Sequence, residues 1–174
     1  MITVSDLGLQ YSGQPLFSHV DLQFVKGNCY GIIGANGAGK STFLKILSGD
    51  LEPTSGEVSI LPKTRMSVLK QDQNAYDAYN VMDTVIMGNQ RLYDIGKEKE
   101  ALYAKEEMTD EDGMLACQLE EEYAELGGWE SESDASRILQ GLGIGTDLHD
   151  NDMATLDARL KVKVLLAQAL FGSP

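Results

Sequence analysis

One glycine-rich stretch constrains the fold of this chain more than any other part of it. The stretch reads Gly34, Ala35, Asn36, Gly37, Ala38, Gly39, Lys40, Ser41 and Thr42, and it matches the pattern G-x-x-x-x-G-K-[ST]. Apolar residues 30–33 before it predict a buried strand, and residues 43–47 after it predict a helix that Gly49 ends. A strand, a glycine loop and a helix in this order predict a phosphate-binding loop, or P-loop, rather than a solvated turn.

The residue types of this loop have distinct chemical roles. The glycines let backbone N–H groups turn inward around a polyphosphate, and the N-terminus of the following helix attracts the same anion. Lys40 would contact the β- and γ-phosphates, and the hydroxyl of Ser41 would hold Mg²⁺. The loop therefore predicts a site for a nucleotide with its magnesium ion.

The charge of the chain is concentrated in one segment. The net charge is −13, and residues 94–134 hold 15 acidic side chains against 3 basic ones. A surface this acidic argues against direct contact with a phosphate backbone. It leaves open a basic protein partner or a solvated helical face.

Composition excludes several other classes of protein. The N-terminus has no basic segment followed by an apolar one, and no apolar run approaches the ~20 residues of a membrane span. The two cysteines, Cys29 and Cys117, form no metal-binding or disulfide pattern. We therefore expect a soluble globular domain in a reducing cytoplasm.

The periodicity of the remaining sequence predicts an α/β fold. Residues 2–11 and 16–24 alternate as paired strands do, and residues 57–60 and 66–69 predict two more short strands. Helices are predicted to begin at Asn80, Thr109 and Asp157, whose side chains suit a helix N-terminus, and near residue 131. The expected architecture is a mixed sheet around the P-loop helix, with a helical subdomain that carries an α-hairpin.

The α-hairpin is predicted from two apolar stripes in the acidic segment. The first contains Leu92, Ile95 and Leu102, and Lys99 interrupts it. The second follows one face of the helix that begins after Thr109: Leu115, Leu119, Tyr123 and Leu126. We expect these stripes to pack against each other.

One element of a P-loop ATPase is missing from the sequence. Such an enzyme needs an apolar strand that ends in an aspartate for Mg²⁺, usually followed by a glutamate that orients the attacking water. No run of aliphatic residues after the P-loop ends in this acidic pair. We therefore expect a truncated chain that is inactive as an ATPase by itself.

Four features resemble the ATP-binding cassette (ABC) superfamily, over essentially the whole chain. Tyr11 lies 23 residues before Gly34, residues 34–42 match the Walker A loop, Gln71 has the position of the Q-loop glutamine, and residues 162–171 resemble the helix after the signature motif. The resemblance implies that ATP and Mg²⁺ bind here. It implies that Tyr11 stacks on adenine and that Gln71 contacts Mg²⁺ and the attacking water. The alternatives are that Tyr11 is an aromatic residue of the core and that Gln71 is a solvated amide in a loop.

The spacing after Gln71 separates two branches of the superfamily. Asp157 lies 86 positions further on, which is more than the transporter pattern implies, and the surplus falls on residues 91–128. ABC-F proteins carry such an insertion, called the arm, in their first ATPase half, where it projects towards the ribosome. The chain therefore resembles an ABC-F protein more than a transporter subunit.

The signature motif itself departs from the family pattern Leu-Ser-Gly-Gly-(Gln/Glu)-Lys. Residues 156–161 read Leu-Asp-Ala-Arg-Leu-Lys, so Asp157, Ala158 and Arg159 replace the serine and the two glycines. In the family these positions contact the γ-phosphate held by the opposite cassette, and a carboxylate there would repel it. Two interpretations stay open: a weakened ATP site, or an aspartate that only caps a helix.

The resemblance implies a domain organisation and a function. Residues 1–79 and 154–174 would form a partial ATP-binding core, residues 80–153 a helical subdomain, and residues 91–128 its acidic arm. The expected function is that of a cytosolic ABC-F ATPase acting on the ribosome, whose ATP site is completed by a second cassette in the same protein. The alternatives are the ATPase subunit of an ABC transporter and a nucleotide-binding fragment without hydrolysis.

Overall fold

An antiparallel sheet and one helix form the first of two units in the computed structural model, which describes residues 1–62 and 64–174. The units are Met1–Met66 and Ser67–Pro174. The strands are β1 (Ile2–Tyr11), β2 (Gln14–Phe24) and β3 (Ser55–Ile60), in the order β2-β1-β3. The helix, α1, spans Lys40–Ser48. The predicted strands at residues 2–11, 16–24 and 57–60 and the predicted P-loop helix are confirmed.

The core of this unit lies between the sheet and α1. Strand β1 pairs with β2 from Ile2 opposite Phe24 to Tyr11 opposite Gln14, and its other edge pairs with β3. Its inward side chains Val4, Leu7 and Leu9 are buried together with Ile46 of α1. The register of β1 shifts between Val4 and Leu7, which moves the alternation of side chains by one residue and lets all three share the core with the P-loop helix.

Two predicted strands are wrong. Residues 30–33 and 66–69 form no strand, and Ile33 is 96% exposed although it belongs to an apolar run. An apolar run is buried as a strand only where neighbouring strands satisfy its N–H and C=O groups, and no described strand pairs with either segment. The sheet is therefore antiparallel over the described residues, without the parallel part of the mixed sheet that we expected.

Five α-helices form the second unit. They are α2 (Val81–Ile86), α3 (Gln90–Tyr103), α4 (Asp110–Glu125), α5 (Ser131–Gly141) and α6 (Ala158–Leu170). Helices α2, α5 and α6 share a core that includes Val85, Leu139 and Val164. Residues 154–174, which we assigned to the ATP-binding core, pack here through α6; the predicted domain limits stay a prediction.

The N-termini of three helices confirm the predicted caps. Asn80 accepts a hydrogen bond from the Asp83 N–H at the start of α2. Thr109 and Asp112 form a reciprocal capping box at the start of α4. Asp157 caps α6 by accepting the Leu160 N–H at 2.9 Å. Local side-chain chemistry is therefore enough to define where these helices begin.

Helices α3 and α4 pack against each other as predicted, but the contact includes only part of the predicted stripe of α4. Ala116 and Leu119 of α4 are buried against Ile95 and Leu102 of α3, with Tyr123 partly buried beside them. Leu115 and Leu126 are 44% and 38% exposed, so their assignment to the packed face is wrong.

Three ion pairs stabilise the hairpin, two between α3 and α4 and one from the turn after α3 to α4. Arg91 donates to Glu122 at 2.7 Å, Lys99 to Glu120 at 2.8 Å and Lys105 to Asp112 at 2.6 Å. Lys99, which interrupts the predicted apolar stripe, is only 8% exposed. Its Nζ atom lies 4.0 Å and 4.4 Å from the ring centroids of Tyr123 and Trp129. Aromatic faces and one carboxylate therefore compensate a cation inside the apolar seam.

The carboxylates of these pairs have lowered pKa values. A hydrogen bond from Lys105 is the main cause that lowers the pKa of Asp112 to about 2. Hydrogen bonds from their cationic partners are likewise the main cause that lowers the pKa values of Glu120 and Glu122. A carboxylate with a lowered folded pKa contributes stability above its ordinary pKa, and that stability is lost as the pH falls through the lowered value.

Acid is therefore expected to weaken the hairpin. For Asp112 the loss should run from its ordinary pKa of 3.8 down to about pH 2. We expect Glu120→Gln to lower the melting temperature at neutral pH by about 2–5 °C, because Lys99 loses its carboxylate, and to flatten the acid dependence. Thermal unfolding followed by circular dichroism between about pH 7 and about pH 2 measures both. Glu121→Gln is the control, since Glu121 belongs to none of the three pairs, and equal behaviour of the two variants would contradict the expectation.

Candidate nucleotide-binding site

Two glycines give the loop before α1 its shape. Gly37 and Gly39 have φ angles of +85° and +93°, in the left-handed region that side chains disfavour. A Cβ atom at Gly39 would also lie 2.9 Å from the Leu16 side chain of β2. The glycines of the motif are therefore required by the backbone at these two positions.

The N-terminus of α1 is open to an anion. Gly39 precedes the helix, no side chain caps this end, and its first turn contains no acidic residue. The first backbone N–H groups of a helix have no partner within the helix, and they carry its partial positive charge. This end of α1 therefore has the properties that the P-loop pattern predicts.

Lys40 folds back onto the loop. Its Nζ atom donates to the backbone oxygens of Gly34 and Ala35, both at 2.7 Å. These contacts keep the ammonium group at the loop. Phosphate oxygens can replace such carbonyl partners with a gain in charge complementarity.

The loop and Tyr11 line one cavity of about 410 Å³. Its walls are residues of β1, β2, the loop and the first turn of α1: Tyr11, Leu16, Asn36, Gly37, Gly39, Lys40, Ser41 and Thr42. Tyr11 is 55% exposed, so it is not a core aromatic. The volume falls within the range of small-molecule sites. The structure thus brings together the residues that the sequence assigned to adenine and to the phosphates.

The cavity also fits the predicted magnesium ion by its chemistry. Mg²⁺ is commonly held by one or two oxygen ligands of the protein together with phosphates and waters, and Ser41 presents a hydroxyl in the cavity. Among residues 1–62 and 64–174 no group of three His, Cys, Asp or Glu side chains is placed to hold a metal ion. Ser41 and the phosphates of the nucleotide would be ligands in this cavity, and the predicted contact of Gln71 with Mg²⁺ stays a prediction.

The other predicted site residues lie in the second unit. Gln71 is exposed and lines a cavity of about 290 Å³ with side chains that include Leu69 and Val162. Ala158 and Arg159 are exposed in the first turn of α6, directly after the cap residue Asp157. The cap explains Asp157 structurally, and the effect of its carboxylate on a phosphate stays a prediction.

Two residues with structural roles at these sites, Leu16 and Lys161, were not predicted from the sequence. Leu16 forms a wall of the P-loop cavity. An apolar residue after a turn does not by itself indicate that it will line a binding site. Lys161 is 7% exposed and bonded to two side chains far away in the sequence. The sequence indicates its burial only by spacing, because Lys161 lies three residues before Val164 and four before Leu165, which are both buried in α6.

Comparison with known proteins gives one consistent family. The family described as "ABC transporter" matches residues 17–174. The chain is 55% identical over its full length to the uncharacterized ABC transporter ATP-binding protein YkpA of Bacillus subtilis (strain 168), covering 32% of that protein. It is 45% identical over its full length to the probable ATP-binding protein YbiT of Escherichia coli O157:H7, covering 33%. The ABC transporter F family member 4 of Arabidopsis thaliana is 27% identical over 99% of the chain, which covers 24% of that protein.

The chain spans about a third of the length of these bacterial relatives. Among solved structures, the dimeric post-hydrolysis state of the ATP-binding cassette MJ0796 bound to ADP and Pi superposes with a TM-score of 0.65. It is 18% identical and covers 98% of this chain and 69% of that one. This likeness shows the fold: an α/β P-loop domain of the ATP-binding cassette type.

Proposed function

Since the chain belongs to the ABC transporter family of ATP-binding domains, we propose that its P-loop cavity binds ATP within a longer ABC-F protein that hydrolyses ATP and acts on the ribosome. One observation carries the proposal. Tyr11 lines the same cavity as Asn36, Gly37 and residues 39–42 of the P-loop, and the size and charge of this cavity suit a nucleotide.

Each part of the cavity has a role in this proposal. The exposed ring of Tyr11 stacks on adenine, and the N–H groups of the loop and of the first turn of α1 bind the phosphates. Lys40 exchanges the carbonyls of Gly34 and Ala35 for phosphate oxygens, which places its charge against the β- and γ-phosphates. Mg²⁺, held with Ser41, neutralises part of the phosphate charge when it is bound.

Hydrolysis is proposed for the longer protein and not for this chain by itself. No aliphatic run in the sequence after the P-loop ends in the acidic pair that such an ATPase needs, and the chain covers about a third of the bacterial relatives named above. In the proposal a second cassette of the same protein supplies the signature that completes the site. Gln71 then contributes to the contacts with Mg²⁺ and the attacking water.

The hairpin favours ABC-F over a transporter subunit. Helices α3 and α4 occupy the segment of the arm-like insertion, and a relative named ABC transporter F family member 4 matches nearly the whole chain. The acidic side chains left outside the three ion pairs favour basic protein over RNA as the contact on the ribosome. No helix in residues 1–62 or 64–174 has the length and apolarity to cross a bilayer.

Sedimentation with ribosomes tests this function. The full-length protein with a non-hydrolysable ATP analogue is expected to sediment with ribosomes, because the γ-phosphate favours closed cassettes. Replacing residues 91–128 by a short glycine-serine linker should abolish sedimentation while nucleotide binding is kept. Sedimentation that needs neither the hairpin nor the nucleotide would contradict the proposal, and recovery of the protein with a membrane partner would favour the transporter alternative.

A further inference from the structure

A buried lysine connects the segment that follows Gln71 to the helix that carries the signature-like residues. We infer that Lys161 is a positioning residue for ATP hydrolysis, which holds Gln71 and the first turn of α6 in a defined relation. The inference rests on the proposed function, because it concerns the reaction of that same site. It assigns to Lys161 no contact with the nucleotide.

The contacts of Lys161 are long-range and directional. Its Nζ atom donates to Asn74 Oδ1 at 2.9 Å and to Asp77 Oδ1 at 2.6 Å, across more than 80 positions of sequence. The residue is 7% exposed. A buried ammonium group is costly unless a carboxylate and further acceptors compensate it, and here both are present.

The segment around Asn74 is a series of turns without regular structure. The Asn74 N–H donates to Asp72 Oδ1 at 2.9 Å, and the Asp77 N–H donates to the Asn74 oxygen at 3.2 Å. These bonds are local to the segment. The hydrogen bonds from Lys161 tie it to α6, and Gln71 lies only three residues before Asn74.

The other end of the connection is the signature-like sequence. The backbone N–H of Lys161 donates to the Asp157 oxygen at 3.0 Å, in the turn that the Asp157 side chain caps. Lys161 therefore links the segment that follows Gln71 to residues 157–161 through one side chain and one helical turn. Methionine has a similar length and fits an apolar pocket, but it lacks the directional bonds to Asn74 and Asp77.

Steady-state ATP hydrolysis by the full-length protein tests the inference. Lys161→Met is expected to lower kcat about tenfold and to change KM by less than about twofold, because positioning is lost while ATP binding is kept. Lys163→Met is the matched control, since Lys163 is exposed on the same helix, and it should retain the wild-type kcat. Asp77→Asn should reproduce part of the loss, and the double variant should be no worse than Lys161→Met, because the two residues act as one unit.

A second measurement separates positioning from folding. Hydrogen–deuterium exchange should become faster at residues 72–79 and 157–161 in Lys161→Met and stay unchanged in Lys163→Met. A kcat within about twofold of wild type, or an equal loss in the Lys163 variant, would overturn the inference. If the wild-type protein does not hydrolyse ATP, the proposed function is wrong. In that case the exchange measurement still tests the link made by Lys161, and unchanged exchange in Lys161→Met would show that this link does not hold the two segments.

Discussion

Lys40→Ala in the full-length protein is expected to lower the rate of ATP hydrolysis at least about a hundredfold, which corresponds to about 3 kcal/mol of transition-state stabilisation. The reason is electrostatic. Lys40 is the cation of the cavity that the loop holds in place, and charge on the transferring phosphoryl group needs such a fixed partner. Phosphate release measured at saturating ATP gives the rate.

Lys45 provides a matched control for this experiment. It lies in the last turn of the same helix, is exposed and does not line the cavity, so Lys45→Ala should leave the rate unchanged. Equal rates for the Lys40 variant and the wild type would show that this cavity is not the site of hydrolysis.

Asp157→Ser is expected to raise the rate of hydrolysis at the site that this signature completes, by about tenfold. Serine caps a helix about as well as aspartate, so α6 keeps its N-terminus and the protein its stability. The substitution removes a carboxylate that would approach the γ-phosphate of the opposite cassette. Charge is therefore changed while the fold is not.

Asp157→Asn separates the charge from the hydroxyl group in the same experiment. It caps the helix and has no charge, so it should recover much of the increase if repulsion is the cause. An unchanged rate in both variants, with unchanged melting temperature, would mean that Asp157 acts only as the cap seen at Leu160.

Features with a local physical cause were predictable from the sequence. The P-loop depends on glycines at left-handed φ angles and on a helix that begins at Lys40, and both are encoded within a few residues. The caps at Thr109 and Asp157 follow from side chains that satisfy N–H groups three residues away. Even the pairing of β1 and β2 needs only a turn and an alternating pattern.

Features that depend on distant partners were not predictable in the same way. Residues 30–33 have the composition of a buried strand, but a strand also needs neighbours, and composition says nothing about them. Leu115 is exposed and its neighbour Ala116 is buried, so a difference of one position along α4 decides which side chain packs in the hairpin. Lysine is usually exposed, but Lys99 and Lys161 are both buried. Aromatic rings surround Lys99, and polar side chains far away in the sequence bind Lys161.

The same difference between local causes and distant partners applies to the candidate site. Tyr11 and the P-loop are joined by a spacing that the family pattern encodes, and the structure places Tyr11, Asn36, Gly37 and residues 39–42 around one cavity. The link from Lys161 to Asn74 and Asp77 follows no motif, because it arises where α6 meets a turn far away in the sequence.

Calorimetric titration of this chain with ATP and Mg²⁺ tests most directly whether the P-loop cavity is a nucleotide site. We predict saturable binding of one ATP, weakened at least about tenfold by Lys40→Ala and unchanged by Lys45→Ala. Tyr11→Ala should weaken it as well, by the loss of stacking. A folded chain that binds no ATP, or binds it equally well without the Lys40 side chain, would contradict the assignment of the P-loop cavity as a nucleotide site.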